Sequence, residues 1–201
     1  MAEIMPVLAG HVAPGRHGAT GNGPGVSLRE VTGRDLVQVG VWRETLGAVA
    51  AKLERELGTA MPSNTRQASG SEQISAFMVA PDKFWITGPL ALGLHDKLGA
   101  VIPAAEGVVT ELGHSRTVLR VSGPRSRDLI ARHVAVDLHP GVFPPGSFAS
   151  SGIHGVGVML HYARDFAGGA VFDIYMPRTF ALSLFEGIAE TAEPFGYTLE
   201  A

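Results

Sequence analysis

The segment ISAFMVAPDKFWITG, residues 74–88, places two β-rich runs on either side of Pro81-Asp82. A connection this short joins antiparallel strands only, because parallel neighbours need a crossover of a dozen or more residues. A second hairpin is expected from Val156–Tyr162 and Ala170–Tyr175, closed near Gly168-Gly169. Strands interleaved with helices would otherwise allow a parallel, doubly wound sheet. The two hairpins exclude it and leave an α+β chain.

The surrounding segments fall into an order that occurs twice. Val26–Val31 and Leu36–Val41 read as a strand pair about the turn Thr32-Gly33-Arg34-Asp35. Leu46, Val49, Leu53 and Leu57 then recur at helical spacing up to a stop at Gly58. After the 74–88 hairpin, Leu90, Leu94 and Leu98 mark a helix ending at Gly99. In the second half, Val108–Leu112 and Thr117–Val121 are strands and Pro124 to about His133 a helix. The 156–175 hairpin follows, and Phe180, Leu184 and Ile188 mark a last helix. Leu36–Trp42 matches Leu119–Pro124 at a spacing of roughly 83 residues, and Trp85-Ile-Thr-Gly-Pro matches Asp173-Ile-Tyr-Met-Pro at about 88. The expectation is two duplicated ferredoxin-like units with antiparallel sheets, as pseudo-repeats at about 26–107 and 108–201. Before them, residues 1–25 carry AGHVAPGRHGATGNGPG, whose glycines and prolines offer little to a core and read as a flexible arm, or one ordered against a partner.

Composition narrows the function classes. With 201 residues, 45% of them hydrophobic, the chain can bury a substantial core. A net charge of -3 gives no electrostatic footprint for nucleic acid or an anionic membrane. The absence of cysteine removes disulfides, thiolate nucleophiles and iron–sulfur ligation, and makes the cytoplasm the economical location. No apolar stretch approaches the roughly 20 residues of a spanning helix, and MAEIMPVLAG lacks the basic region and long apolar core of a secretory signal.

Each motif that could carry chemistry has a plainer explanation. In RTVLRVSGPRSRDLI, residues 116–130, a strand turns into a helix at Gly123-Pro124, where proline suits the first helical position and glycine the sharp entry. Arg125 and Arg127 could hold an anion at that helix N-terminus, but the Gly-Lys-Ser/Thr ending of a phosphate loop is missing, and a structural corner is favoured. Gly21, Gly23 and Gly25 lack the flanking strand and helix of a dinucleotide fingerprint, and Gly155-Val-Gly157 suits close strand packing. His133 and His139 are separated by proline-rich chain, while His154 and His161, seven apart on one strand, should face opposite ways, so no metal site is assigned. No GxSxG elbow or assignable triad is present. Phe77, Phe84, Trp85, Phe172 and Tyr175 read as core or interface filling. No catalytic, cofactor-binding or metal-binding residue is therefore assigned to the chain.

ELGHSRTVLRVSGPRSRDLIARHVAVDLHPGVFPPGSFASS, with LVQVGVW before it and FDIYMPRTFALSLFEGIAE after it, resembles the gamma subunits of heterotetrameric sarcosine oxidases over nearly the whole chain. More distantly, residues 108–190 resemble the N-terminal, folate-binding part of the T-protein, the aminomethyltransferase of the glycine cleavage system. Where the T-protein has the form DVSH, this chain has Glu111-Leu112-Gly113-His114. Where the T-protein hairpin opens with a pair of aspartates, one of which assists aminomethyl transfer, this chain has Val156 and Gly157. Neither can take up a proton or orient an amine.

The resemblance implies a non-catalytic gamma subunit packed against the large subunit, with alpha, beta and delta subunits as partners. It implies FAD, FMN, NAD and tetrahydrofolate for those companions, which oxidise the N-methyl group of sarcosine and pass the one-carbon unit to folate. It implies no cofactor in this chain. A stand-alone folate-binding or aminomethyltransferase-like protein, and an assembly module for an unrelated dehydrogenase, are the alternatives.

Overall fold

The computed structural model of the protein describes residues 5–19, 21, 23–71, 73–166 and 169–200. In chain order the elements are β1 (Gly15–His17), β2 (Val26–Glu30), β3 (Arg34–Val41), α1 (Leu46–Leu57), β4 (Ser69–Gly70), β5 (Ser75–Ala80), β6 (Lys83–Pro89) and α2 (Leu94–Gly99). They continue as β7 (Gly107–Glu111), β8 (Arg116–Ser122), α3 (Ser126–Ile130), β9 (Phe148–Ile153), β10 (Val156–Phe166), β11 (Gly169–Pro177), α4 (Ala181–Ala192) and β12 (Tyr197–Leu199). The expected α+β character holds, with two sheets and two compact units: residues 33–114, and residues 1–32 together with 115–201. Packing thus divides the chain at other points than the sequence period near 107/108.

The unit of residues 33–114 has a five-stranded antiparallel sheet in the order β4-β5-β6-β3-β7. Val37, Val39 and Val41 of β3 and Phe84 and Ile86 of β6 turn one face inward, onto Val49, Leu53 and Leu57 of α1 and Leu94 and Leu98 of α2. These positions are the alternating and helical apolar patterns of the sequence, realised. Helix α1 stops where Gly58 takes a left-handed conformation, φ 67°, and its amide donates to the Glu54 carbonyl. The Pro81-Asp82 hairpin closes as read, with Ala80 opposite Lys83. Leu90 lies in a short 3-10 turn, and the helix proper begins only at Leu94, after Gly93 at φ 54°.

The other unit carries seven strands in the order β1-β12-β2-β8-β11-β10-β9. Leu28, Leu119, Val121, Leu160, Phe172 and Ile174 on one face pack with Leu129 and Ile130 of α3 and Leu184, Phe185 and Ile188 of α4. The sheet is mixed, because β12 runs parallel to β2. This corrects the purely antiparallel expectation. The expected pairing of 26–31 with 36–41 is also corrected: β2 pairs with β8 and β12, and β3 with β6 and β7. Alternation specifies which face of a strand is buried and leaves its neighbour unspecified. Of the closure expected near Gly168-Gly169, Gly168 lies outside the described residues.

Of the leader expected as a flexible arm over 1–25, the described residues join this sheet through β1. Strand β1 pairs with β12, His17 stacks on Tyr197 at 4.9 Å, and the Ala19 amide donates to the Glu193 carbonyl. Upstream, Leu8 is buried in the core, and the amides of Val7 and Leu8 both donate to the Glu30 carboxylate, at 2.8 and 2.9 Å. Glu30 also accepts from the Thr117 hydroxyl. One carboxylate therefore fixes the leader to β2 and β8. Glu30→Ala is expected to lower stability by about 1.5–3 kcal/mol, the range for hydrogen bonds to a charged group. It should also speed tryptic cleavage after Arg16 at least about tenfold, read by mass spectrometry of timed digests.

Candidate functional site

The Gly123-Pro124 corner is closed by its own chain. Gly123 has φ 110°, and a Cβ there would sit 2.7 Å from the Gly25 carbonyl oxygen. The Arg125 amide donates to that same oxygen at 2.9 Å, and the buried Ser126 hydroxyl donates to the Ala170 carbonyl. Helix α3 spans only five residues and begins at Ser126, after Pro124 rather than on it. Each flanking arginine is engaged within the fold. Arg125 pairs with Asp128 at 2.6 Å and lies over the Phe195 ring, while Arg127 donates to the Leu138 carbonyl and lies over Tyr162 and Phe172. These contacts support the corner reading.

The histidines pair differently from their spacing in sequence. His154 is outside the strand: with φ 49°, followed by Gly155 at φ 80°, it forms the two-residue turn between β9 and β10. The expectation that His154 and His161 share one strand is corrected, because β9 was not visible as a strand. The His154 ring meets His133 edge-on, with centroids 5.7 Å apart, and packs where any side chain on Gly187 would sit. Burial, then the neighbouring His154 and Arg132, push the His133 pKa down. His139 accepts a local bond from the Gly141 amide. Among the described residues no group of three or more His, Asp or Glu is placed to hold a metal.

Val156 and Gly157 open β10 at the hairpin tip, opposite Ile153 and Gly152. Residues 152–158 around this turn include no Asp or Glu. Glu111 and His114 lie 3.8 Å apart, both half exposed. Phe77, Phe84 and Phe172 are fully buried, Tyr175 is buried, and the Trp85 indole donates to Gln38.

The most polar buried feature was missed by sequence reasoning. His161, Asp173 and Arg120 stand side by side across β10, β11 and β8, on the sheet face away from Phe172 and Ile174. The Arg120 guanidinium donates through Nε and Nη2 to the two oxygens of Asp173, each at 2.7 Å. This bond, opposed by burial, raises the Arg120 pKa. The Asp173 side chain is 7% exposed. Burial lowers the His161 pKa to about 4, against a smaller upward pull from Asp173. The signal available in sequence was one ionisable residue in each of two apolar runs, VLRVS and AVFDIYM.

His161 makes stability depend on pH. Its folded pKa lies below its unfolded one, so the unfolded chain binds the extra proton, and stability falls as pH drops from about 6.5 toward 4. The loss between pH 7.5 and 4.5 is expected to be roughly 2.5 kcal/mol. Urea titrations of the parent and of His161→Phe should differ by this slope.

No protein-family model matches the chain. It is 28% identical over 152 residues to the sarcosine oxidase subunit gamma of Arthrobacter sp, covering 74% of this chain and 75% of that one. The subunit gamma of Corynebacterium sp. (strain P-1) is 31% identical over 119 residues, 59% of this chain and 58% of that protein. Among solved structures, a chain of the heterotetrameric sarcosine oxidase from Corynebacterium sp. U-96 superposes with a TM-score of 0.75 at 21% identity, covering 89% of this chain and 88% of that chain. The glycine cleavage system aminomethyltransferase T from Bartonella henselae gives 0.62 at 14% identity, over 88% of this chain and 48% of its own. The α+β fold with its two sheets therefore resembles that of the aminomethyltransferase. The chain is thus similar in sequence to sarcosine oxidase gamma subunits, and in fold to a chain of heterotetrameric sarcosine oxidase.

Proposed function

We propose that this chain is the non-catalytic gamma subunit of a sarcosine oxidase complex in the cytoplasm. It packs against the large subunit and assembles with alpha, beta and delta companions that carry FAD, FMN, NAD and tetrahydrofolate. The observation that carries this reading is the similarity to sarcosine oxidase gamma subunits, 28% identical over 152 residues in one of them, on a fold shared with a chain of the heterotetrameric enzyme. Exposed apolar side chains, among them Phe166 at 65% and Val142 at 62%, suit a surface that is covered on assembly.

The two compact units are read as duplicated ferredoxin-like folds. The order strand, helix, hairpin, helix runs through β3-α1-β5-β6-α2 and again through β8-α3-β10-β11-α4. Core-facing Val37 and Ile86 lie opposite one another, as do Leu119 and Ile174.

Co-expression with the companion subunits tests the function. The expected product is a flavin-containing complex that includes this chain, while the chain purified alone is colourless and does not take up tetrahydrofolate in equilibrium dialysis. Flavin retained by the isolated chain, or unaided aminomethyl transfer, would overturn the proposal in favour of a stand-alone folate protein.

A further inference from the structure

Strands β2 and β7 hold comparable places in their own sheets but differ in what lies beyond them. Strand β2 lies antiparallel beside β8, and β7 lies antiparallel beside β3 in the same way. In β2, the Val31 amide donates to the Val118 carbonyl, so alternation turns the polar groups of Val26 and Leu28 away from β8. Strand β12 receives them: the Val26 amide donates to the Gly196 carbonyl, and the Glu200 amide donates to the Leu28 carbonyl. Tyr197 and Leu199 of β12 then add buried side chains to the core.

In β7, the Leu112 amide donates to the Leu36 carbonyl and the Trp42 amide to the Glu106 carbonyl. The same alternation turns the N–H and C=O groups of Val109 and Glu111 outward, away from β3. The strand that follows α4 is β12, lying outside β2, whereas the strand that follows α2 is β7 itself. Among the described residues no strand lies beyond β7. The sequence GVVTE has neither the proline nor the lysine that commonly guards an exposed edge. Val108 is 49% exposed there, and Trp42, at the end of the adjoining β3, is 45% exposed.

We infer that β7 is a strand-addition site for an extended segment of a companion subunit, which takes beside β7 the place that β12 takes beside β2. The inference rests on the subunit reading above. The segment that fits is a few residues long with apolar side chains at alternate positions, as in Tyr197-Thr198-Leu199. Main-chain bonds to Val109 and Glu111 would hold it, and Trp42 and Val108 would meet its exposed side.

Hydrogen exchange of the full complex, compared with the free chain, tests this. The Val109 and Glu111 amides should slow at least about tenfold on assembly. Val108→Lys puts a charge on an exposed position, and Glu111→Pro removes an outward-facing donor that β3 does not use. Each should cut recovery of the complex at least about tenfold while the free chain keeps its thermal midpoint. Assembly with unchanged exchange at both amides overturns the edge assignment and leaves the subunit reading standing. Failure of the parent chain to assemble overturns both. Protection that arises in the chain alone as its concentration rises assigns the edge to a second copy and overturns the companion-strand proposal.

Discussion

Arg120→Met, with Asp173 left in place, is expected to destabilise the protein by about 3–5 kcal/mol. The carboxylate is held in a side chain only 7% exposed, and its two oxygens accept from one guanidinium at 2.7 Å. Removing the guanidinium leaves a buried anion whose neighbour across the strand pair, His161, is neutral at pH 7. The double variant Arg120→Met/Asp173→Leu should recover most of the loss, because taking both charges out removes the unpaired group together with its desolvation cost. Urea unfolding of the parent, both single variants and the double variant gives the coupling directly. Additive single effects, with no recovery in the double variant, would mean that the pair is not the stabilising unit.

Gly169→Ala should cost a similar amount, about 3 kcal/mol or more, by a different route. Gly169 has φ 149°, and a Cβ there would lie 2.1 Å from the Gly123 carbonyl oxygen and 2.9 Å from the Pro124 nitrogen. Those neighbours are backbone, and Gly123 is itself pressed against Gly25, so the strain cannot be relieved by rotating a side chain. Gly157→Ala is the control: nothing lies within 4 Å of its Cβ, and the change should stay within about 1 kcal/mol. Thermal and urea unfolding of the two variants should separate them clearly. Equal midpoints would show that the corner relaxes around the added methyl.

These two sites also show what was legible in the sequence. Strands β3, β5, β6, β10 and β11 and helices α1 and α4 announce themselves by apolar period, because each buries one face against a core of its own unit. Strands β1, β9 and β12 did not. Two are three residues long, and the third, FASSGI, owes its pairing to a turn whose first residue is a histidine at positive φ. The sequence match at roughly 83 residues joins Val37 to Arg120, yet the residues that face the two cores are Val37 and Leu119, one position earlier. In a strand one position reverses the side chain, which is why the match could not foresee Arg120 on the face opposite Leu119. Its partner Asp173 lies 53 residues away, a distance that only cross-strand register brings to contact.

The pairing of β1 with β12 joins two stretches far apart in sequence, residues 1–32 and 115–201, into one compact unit around an uninterrupted middle. During synthesis the middle unit has all of its strands once residue 114 clears the ribosome. The leader must wait for Tyr197–Leu199, the last of the described strands, before β1 finds its ladder. Until then Leu8, Val26 and Leu28 have no finished core to enter. A nascent chain stalled or truncated before residue 197 would therefore hold one finished unit and present a sticky apolar front end to chaperones or to a companion already made.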